Sequence, residues 1–140
     1  MTYEIDMTSM FVYENTLSSK ERAALLQVRD QLRSGRLPYL LSGDLDRKGL
    51  ESCRYFNMGI EFNTQHSCGT VGCIGGWMTH ILYPAADEEQ IQHEMTCLMR
   101  REPILEELFY PSNRADYGLI TPEQAVKAIN RCLAGYEPWP

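Results

Sequence analysis

The sequence predicts a mainly α protein, four or five helices around one core with a small antiparallel strand pair, and an α+β arrangement with a fuller sheet as the fall-back. Three observations lead there. Ser18, Asp87 and Thr121 each stand at a helix-start signal followed by apolar residues at helical spacing. Phe56 to Phe62 alternates apolar with polar or small residues, the period of a strand. Glycine and proline punctuate the chain between these segments.

Up to Asn15 only Tyr3, Ile5 and Met7 show a pattern, an alternation suited to a short edge strand. The first helix starts at Ser18-Ser-Lys-Glu21, a capping-box spacing, continues through Ala24, Leu25, Val28 and Leu32, and ends at Gly35. Residues 36–54 carry Pro38, Gly43, Gly49 and the charged run from Asp44 to Lys48, and read as a surface connection with at most one helical turn. Phe56, Met58, Ile60 and Phe62 are expected on one face of a strand, paired with the N-terminal stretch.

From Thr70 to Tyr83 the apolar residues Val71, Ile74, Trp77, Met78, Ile81 and Leu82 predict a buried helix stopped by Pro84. Asp87 caps the next helix, which buries Ile91, Met95, Leu98 and Met99, carries Arg100 and Arg101 at its end and closes at Pro103. A short helix over 104–109 follows. Thr121-Pro-Glu-Gln124 then opens a last helix with Ala125, Val126, Ile129 and Leu133 inward and Gly135 at its left-handed end.

With 140 residues and 44% hydrophobic content, residues 1–140 are expected to form a single globular domain with no need of staples. No run approaches the ~18 apolar residues of a membrane helix, and Met1-Thr-Tyr-Glu-Ile-Asp6 lacks the pattern of a signal peptide. Five cysteines, an odd number, fit reduced thiols, so the expectation is a cytoplasmic protein. A formal charge of -6 argues against nucleic acid and for a protein or small-molecule partner.

Cys68-Gly-Thr-Val-Gly-Cys-Ile-Gly-Gly-Trp77 is the most unusual segment. Glycine costs a helix about 1 kcal/mol relative to alanine, so Gly72, Gly75 and Gly76 within an apolar run call for a reason. The expectation is close packing, with Trp77 or a preceding phenylalanine filling the bare surface. The alternative is a helix start at Gly69-Thr-Val-Gly72 offering N–H groups to an anion, although it lacks the lysine and glycine order of nucleotide loops.

Cys68, placed just before such a helix, would gain nucleophilicity from the helix dipole, with Cys73 one turn inside. Gln65-His-Ser-Cys-Gly69 is similar to the context of the papain-like nucleophile, but the tryptophan is displaced to Trp77 and the glutamine spacing differs. His66, His80 and His93 are the available bases, and none is assigned to Cys68. The expectation is therefore no catalytic residue and no cofactor. Should a metal bind, the spacing Cys68-x4-Cys73 and His93-x3-Cys97 matches a four-ligand zinc site, with Cys53 and His66 as alternatives.

On the first helix Arg22, Arg29, Arg33 and Arg36 fall within about 60° at 100° per residue, a basic face that suits a partner with an acidic surface. The tail Tyr136-Glu-Pro-Trp-Pro140 is expected to dock on the core.

Phe56-Asn-Met58, the Cys68 to Trp77 segment, Leu108-Phe-Tyr-Pro111 and Thr121-Pro-Glu-Gln-Ala125 together resemble a group of small uncharacterised bacterial and phage proteins. These share a Cys-Gly-Thr-x-x-Cys-Ile-x-Gly-Trp core, matched here by Cys68, Gly69, Thr70, Cys73, Ile74, Gly76 and Trp77. The resemblance covers the second half of the chain and implies a phage or mobile-element origin. The functional expectation is a non-enzymatic protein-binding accessory factor acting on a host protein. The alternatives are a zinc-stabilised binding module and a cysteine enzyme using Cys68.

Overall fold

A computed structural model describes residues 16–40, 54–66 and 69–140, without the side chains of Gln65 and His66. The described elements are α1 (Ser19–Ser34), β1 (Arg54–Phe56), β2 (Phe62–His66), β3 (Gly69–Gly72), α2 (Ile74–Leu82), α3 (Glu88–Arg101), α4 (Pro103–Phe109), a 3₁₀ turn (Tyr117–Leu119) and α5 (Pro122–Leu133). Helices dominate, with a small sheet beside them. No helix among the described residues is long and apolar enough to cross a membrane.

The helix starts form as the capping residues dictate. Ser18, Asp87 and Thr121 each accept from the backbone three residues on, while Glu21, Gln90 and Gln124 reach back to the cap N–H. Each pair satisfies two donors that a bare helix end would leave open. Gly35 (φ 83°) and Gly135 (φ 88°) close α1 and α5 in the left-handed region, as glycine permits. Leu25, Val28, Ile74, Met78, Ile91, Leu105, Phe109 and Ile129 meet in one continuous core. Trp139 joins them, its indole N–H donating to the Leu108 carbonyl at 3.1 Å, so the tail docks.

The sheet differs from the expected strand pair. It has three strands in the order β1-β3-β2, with β1 parallel and β2 antiparallel to β3. Phe56 to Phe62 is not one strand: β1 ends at Phe56, the chain turns, and β2 begins at Phe62. The cause is Asn57, whose side-chain oxygen accepts from the Gly59 N–H at 2.7 Å while its amide donates to the Leu40 carbonyl at 2.8 Å. The alternation does not carry over into burial: Tyr55, Phe56, Asn57 and Met58 are buried in succession, and while Phe56, Met58 and Phe62 enter the main core, Ile60 packs partly buried against the separate cluster of Leu40, Tyr55 and Val71. The proposed N-terminal strand and residues 41–53 of the connection lie outside the described residues.

The second correction concerns the helix expected from Thr70. Thr70 and Val71 belong to β3, the central strand, and α2 begins only at Ile74. Val71 and Ile74 read as one helical stripe because a buried strand running into a buried helix start presents apolar residues throughout.

Candidate functional site

The Cys68 to Trp77 segment is the natural place to look for chemistry, and its residues beyond Cys68 are taken up by the fold. Gly69 opens β3 with φ 120°, a conformation that favours glycine, beside a register shift between Asn63 and His66. Thr70 pairs with Arg54 of β1, and Gly72 with both Phe56 and Phe62. The N–H groups of Gly69 to Gly72, the alternative anion site, therefore belong to a central strand and not to a helix start.

Cys73 is the N-cap of α2, not a residue one turn inside it. Its sulfur accepts from the Gly76 N–H at 3.4 Å and its thiol donates to the Glu61 carbonyl at 3.6 Å. Burial pushes the thiol up to about 11, against the lowering effect of the Gly76 and Gly75 N–H groups, so at neutral pH it is the thiol that caps. The helix expected to begin just after Cys68 begins instead at Ile74, after the strand β3; Cys68 itself lies outside the described residues.

The glycines are explained by contact distances. A Cβ on Gly76 would lie 1.9 Å from the Glu61 carbonyl oxygen, and one on Gly75 would lie 2.8 Å from the Phe109 ring. At Gly72 it would meet Phe62 at 3.0 Å and the Trp77 indole nitrogen at 3.1 Å. Bare backbone thus lets α2 press against the turn before β2 and against α4, and lets Phe62 and Trp77 close over the end of β3. Trp77 locks the arrangement: its indole N–H donates to the Tyr55 carbonyl at 2.9 Å, Phe62 meets it edge-on, and the Arg54 guanidinium lies 4.8 Å above the ring.

Glu61, which sequence reasoning passed over, links the pieces. Its carbonyl receives Cys73, and its carboxylate accepts from Gln92 of α3 and from the Tyr110 hydroxyl. Burial, and then the Glu61 carboxylate, hold the Tyr110 hydroxyl well above its ordinary range, so it stays a donor. The only sequence signal was a carboxylate inside an otherwise apolar alternation. His80 packs its ring on Phe62 and Trp77, and burial, then Arg54, hold it neutral by lowering its pKa.

The expected ligands do not all converge. Cys73 is sealed in the core, whereas His93 and Cys97 meet on α3 with Nε2 and Sγ 3.8 Å apart. Among the described residues no group of three or more metal-ligating side chains assembles.

The arginine face of α1 divides. Arg22 donates to the Leu133 carbonyl, and Arg29 donates to Asp30 and to Asn130 of α5, tying the two helices together. Arg33 and Arg36 are exposed. Arg33 borders a shallow groove of about 300 Å³ between α1 and α5, lined also by Leu32, Pro122, Glu123, Val126 and Lys127. A larger groove of about 670 Å³ lies where α2 turns into α3, between Leu82, Tyr83 and Ala86 on one side and Glu89, His93 and Glu94 on the other. No protein family, characterised protein or solved structure matches this chain.

Proposed function

We propose that the chain is a non-enzymatic protein-binding accessory factor of phage or mobile-element type, working in the cytoplasm by covering an acidic surface of a host protein. The observation that carries this reading is the groove between α1 and α5. Its floor is apolar through Leu32, Pro122 and Val126, and the cations Arg33 and Lys127 stand at its edge. Arg36 is exposed just beyond Gly35. Three cations against Glu123 make a locally positive patch on a chain of formal charge -6. Such a patch selects a partner segment that brings carboxylates and one apolar side chain, because opposite potentials steer encounter and an apolar contact adds affinity.

The test compares partner capture from host lysate by the wild-type chain and by Arg33→Glu/Lys127→Glu. The expected outcome is one specific protein, released by moderate salt, that the variant fails to retain although its melting temperature is unchanged. Turnover of a small molecule that disappears in Cys68→Ala, with no protein captured, would contradict it in favour of a cysteine enzyme.

A further inference from the structure

The outer side of α3 carries a histidine and a cysteine in contact. His93 and Cys97 stand one turn apart near the middle of the helix, on the side away from Ile91, Met95 and Leu98, which face the core. Their Nε2 and Sγ atoms are 3.8 Å apart. A tetrahedral zinc with nitrogen at about 2.1 Å and sulfur at about 2.3 Å spans roughly 3.6–3.8 Å between two such ligands. The pair is therefore set at the bite of one borderline-soft divalent cation. Among the described residues no third ligand joins it, so the pair fills two of the four positions of a tetrahedral site and leaves two.

The charges along the helix indicate what supplies them. Glu88 and Glu89 begin α3, and Arg100 and Arg101 end it. Glu88 accepts from Thr64 and Arg101, though exposed, pairs with Glu21, which leaves Glu89 and Arg100 as exposed charges near the two ends with no hydrogen-bond or ion-pair partner among the described residues. At about 100° per residue Glu89, His93, Cys97 and Arg100 share a sector of about 80°. A second copy laid antiparallel across a two-fold axis at position 95 sets His93 against the partner's Cys97 and Cys97 against the partner's His93. The same operation brings Glu89 to within one residue of the partner's Arg100. One helix face thereby complements itself in both charge and ligand count, as a two-fold interface requires.

We infer that α3 binds zinc, or a cation of the same class, between two copies of this chain through His93 and Cys97 of each. The inference is independent of the acidic partner: Arg33→Glu/Lys127→Glu leaves it untouched.

The experiment is a titration of the purified chain with zinc, and separately with cobalt(II), in a phosphine reductant, followed by light scattering and absorbance. The expected result is a rise in mass from 16.1 kDa to twice that value at one zinc per two chains, with a thiolate-to-cobalt charge-transfer band. Cys97→Ser and His93→Ala should each lose both signals. Glu89→Arg should weaken the dimer, and Glu89→Arg/Arg100→Glu should restore it. One zinc per chain with unchanged mass would overturn the inference, as would a dimer that survives Cys97→Ser or is lost in Cys68→Ser. Should Cys97→Ser fail to fold, His93→Ala at the exposed position gives the same reading.

Discussion

The start of α2 and the outer face of α3 each bring cysteine and helical geometry together, and they use them in opposite directions. At the start of α2 the polar groups are used to hold buried backbone together. The Cys73 sulfur caps the helix, the Glu61 carbonyl receives it, and the Trp77 indole reaches the Tyr55 carbonyl. On α3 the residues turned away from the core are polar and lie beside a groove. A motif dense in cysteine, glycine and tryptophan can thus be a packing device, while a plain amphipathic helix carries its cysteine beside a histidine on its outer side.

The difference can be broken most forcefully at Gly76. Gly76→Ala places a methyl 1.9 Å from the Glu61 carbonyl oxygen, where two backbones meet and neither side chain can yield. The expected loss is about 4 kcal/mol or more, at the extreme of single substitutions. Gly75→Ala meets a phenylalanine ring that can shift, and should cost about 1–3 kcal/mol. Thermal melting of the two variants checks the order, and equal losses would remove the distinction between backbone and side-chain contact.

Trp77→Phe keeps most of the buried ring but removes the donor to the Tyr55 carbonyl at 2.9 Å. Losing a buried partner costs about 1–3 kcal/mol, which urea unfolding would measure. Wild-type stability in this variant would mean that the indole only fills space.

A smaller effect is expected at Cys73, and it depends on pH. Its folded-state thiol ionises at about 11, above the ordinary value of 9.0, because burial favours the neutral form. The stabilisation is complete below the unfolded value and is lost as pH rises through the folded one, since the unfolded chain releases its proton first. Buried Cys132, raised to about 12, acts in the same sense. Stability should fall between pH 9 and pH 11 more steeply in wild type than in Cys73→Ser, which keeps a capping acceptor without a titrating thiol. At neutral pH Cys73→Ala should lose about 1 kcal/mol, the usual worth of a cap.

Most helices were legible because their signals are local: a capping residue, a stripe at 3.6 residues and a glycine or proline end all lie within one element. Ser18, Asp87 and Thr121 cap as their side chains predict. The region from Phe56 to Cys73 was not, because its structure depends on partners distant in sequence. Asn57 turns the chain by binding the Leu40 carbonyl, and β3 is a strand because β1 and β2 flank it. The packing reason for Gly75 and Gly76 was readable from their cost to a helix, whereas Gly72 lies in β3, where that cost does not apply. The identity of what they press against, Glu61 and Phe109, required the fold. At the candidate site, His93 and Cys97 were legible as a helical pair, while Cys73 was misplaced because its helix starts later than the apolar run suggested.

The inward and outward use of cysteine is tested most directly by native-state thiol labelling at neutral pH, followed by mass spectrometry of the peptides. Half-buried Cys97 should react on mixing, whereas buried Cys73 and Cys132 should react only at the rate of global unfolding. Labelling of Cys73 as fast as Cys97 in the folded protein would contradict the account, because a cap sealed beneath Glu61 cannot be reached by reagent.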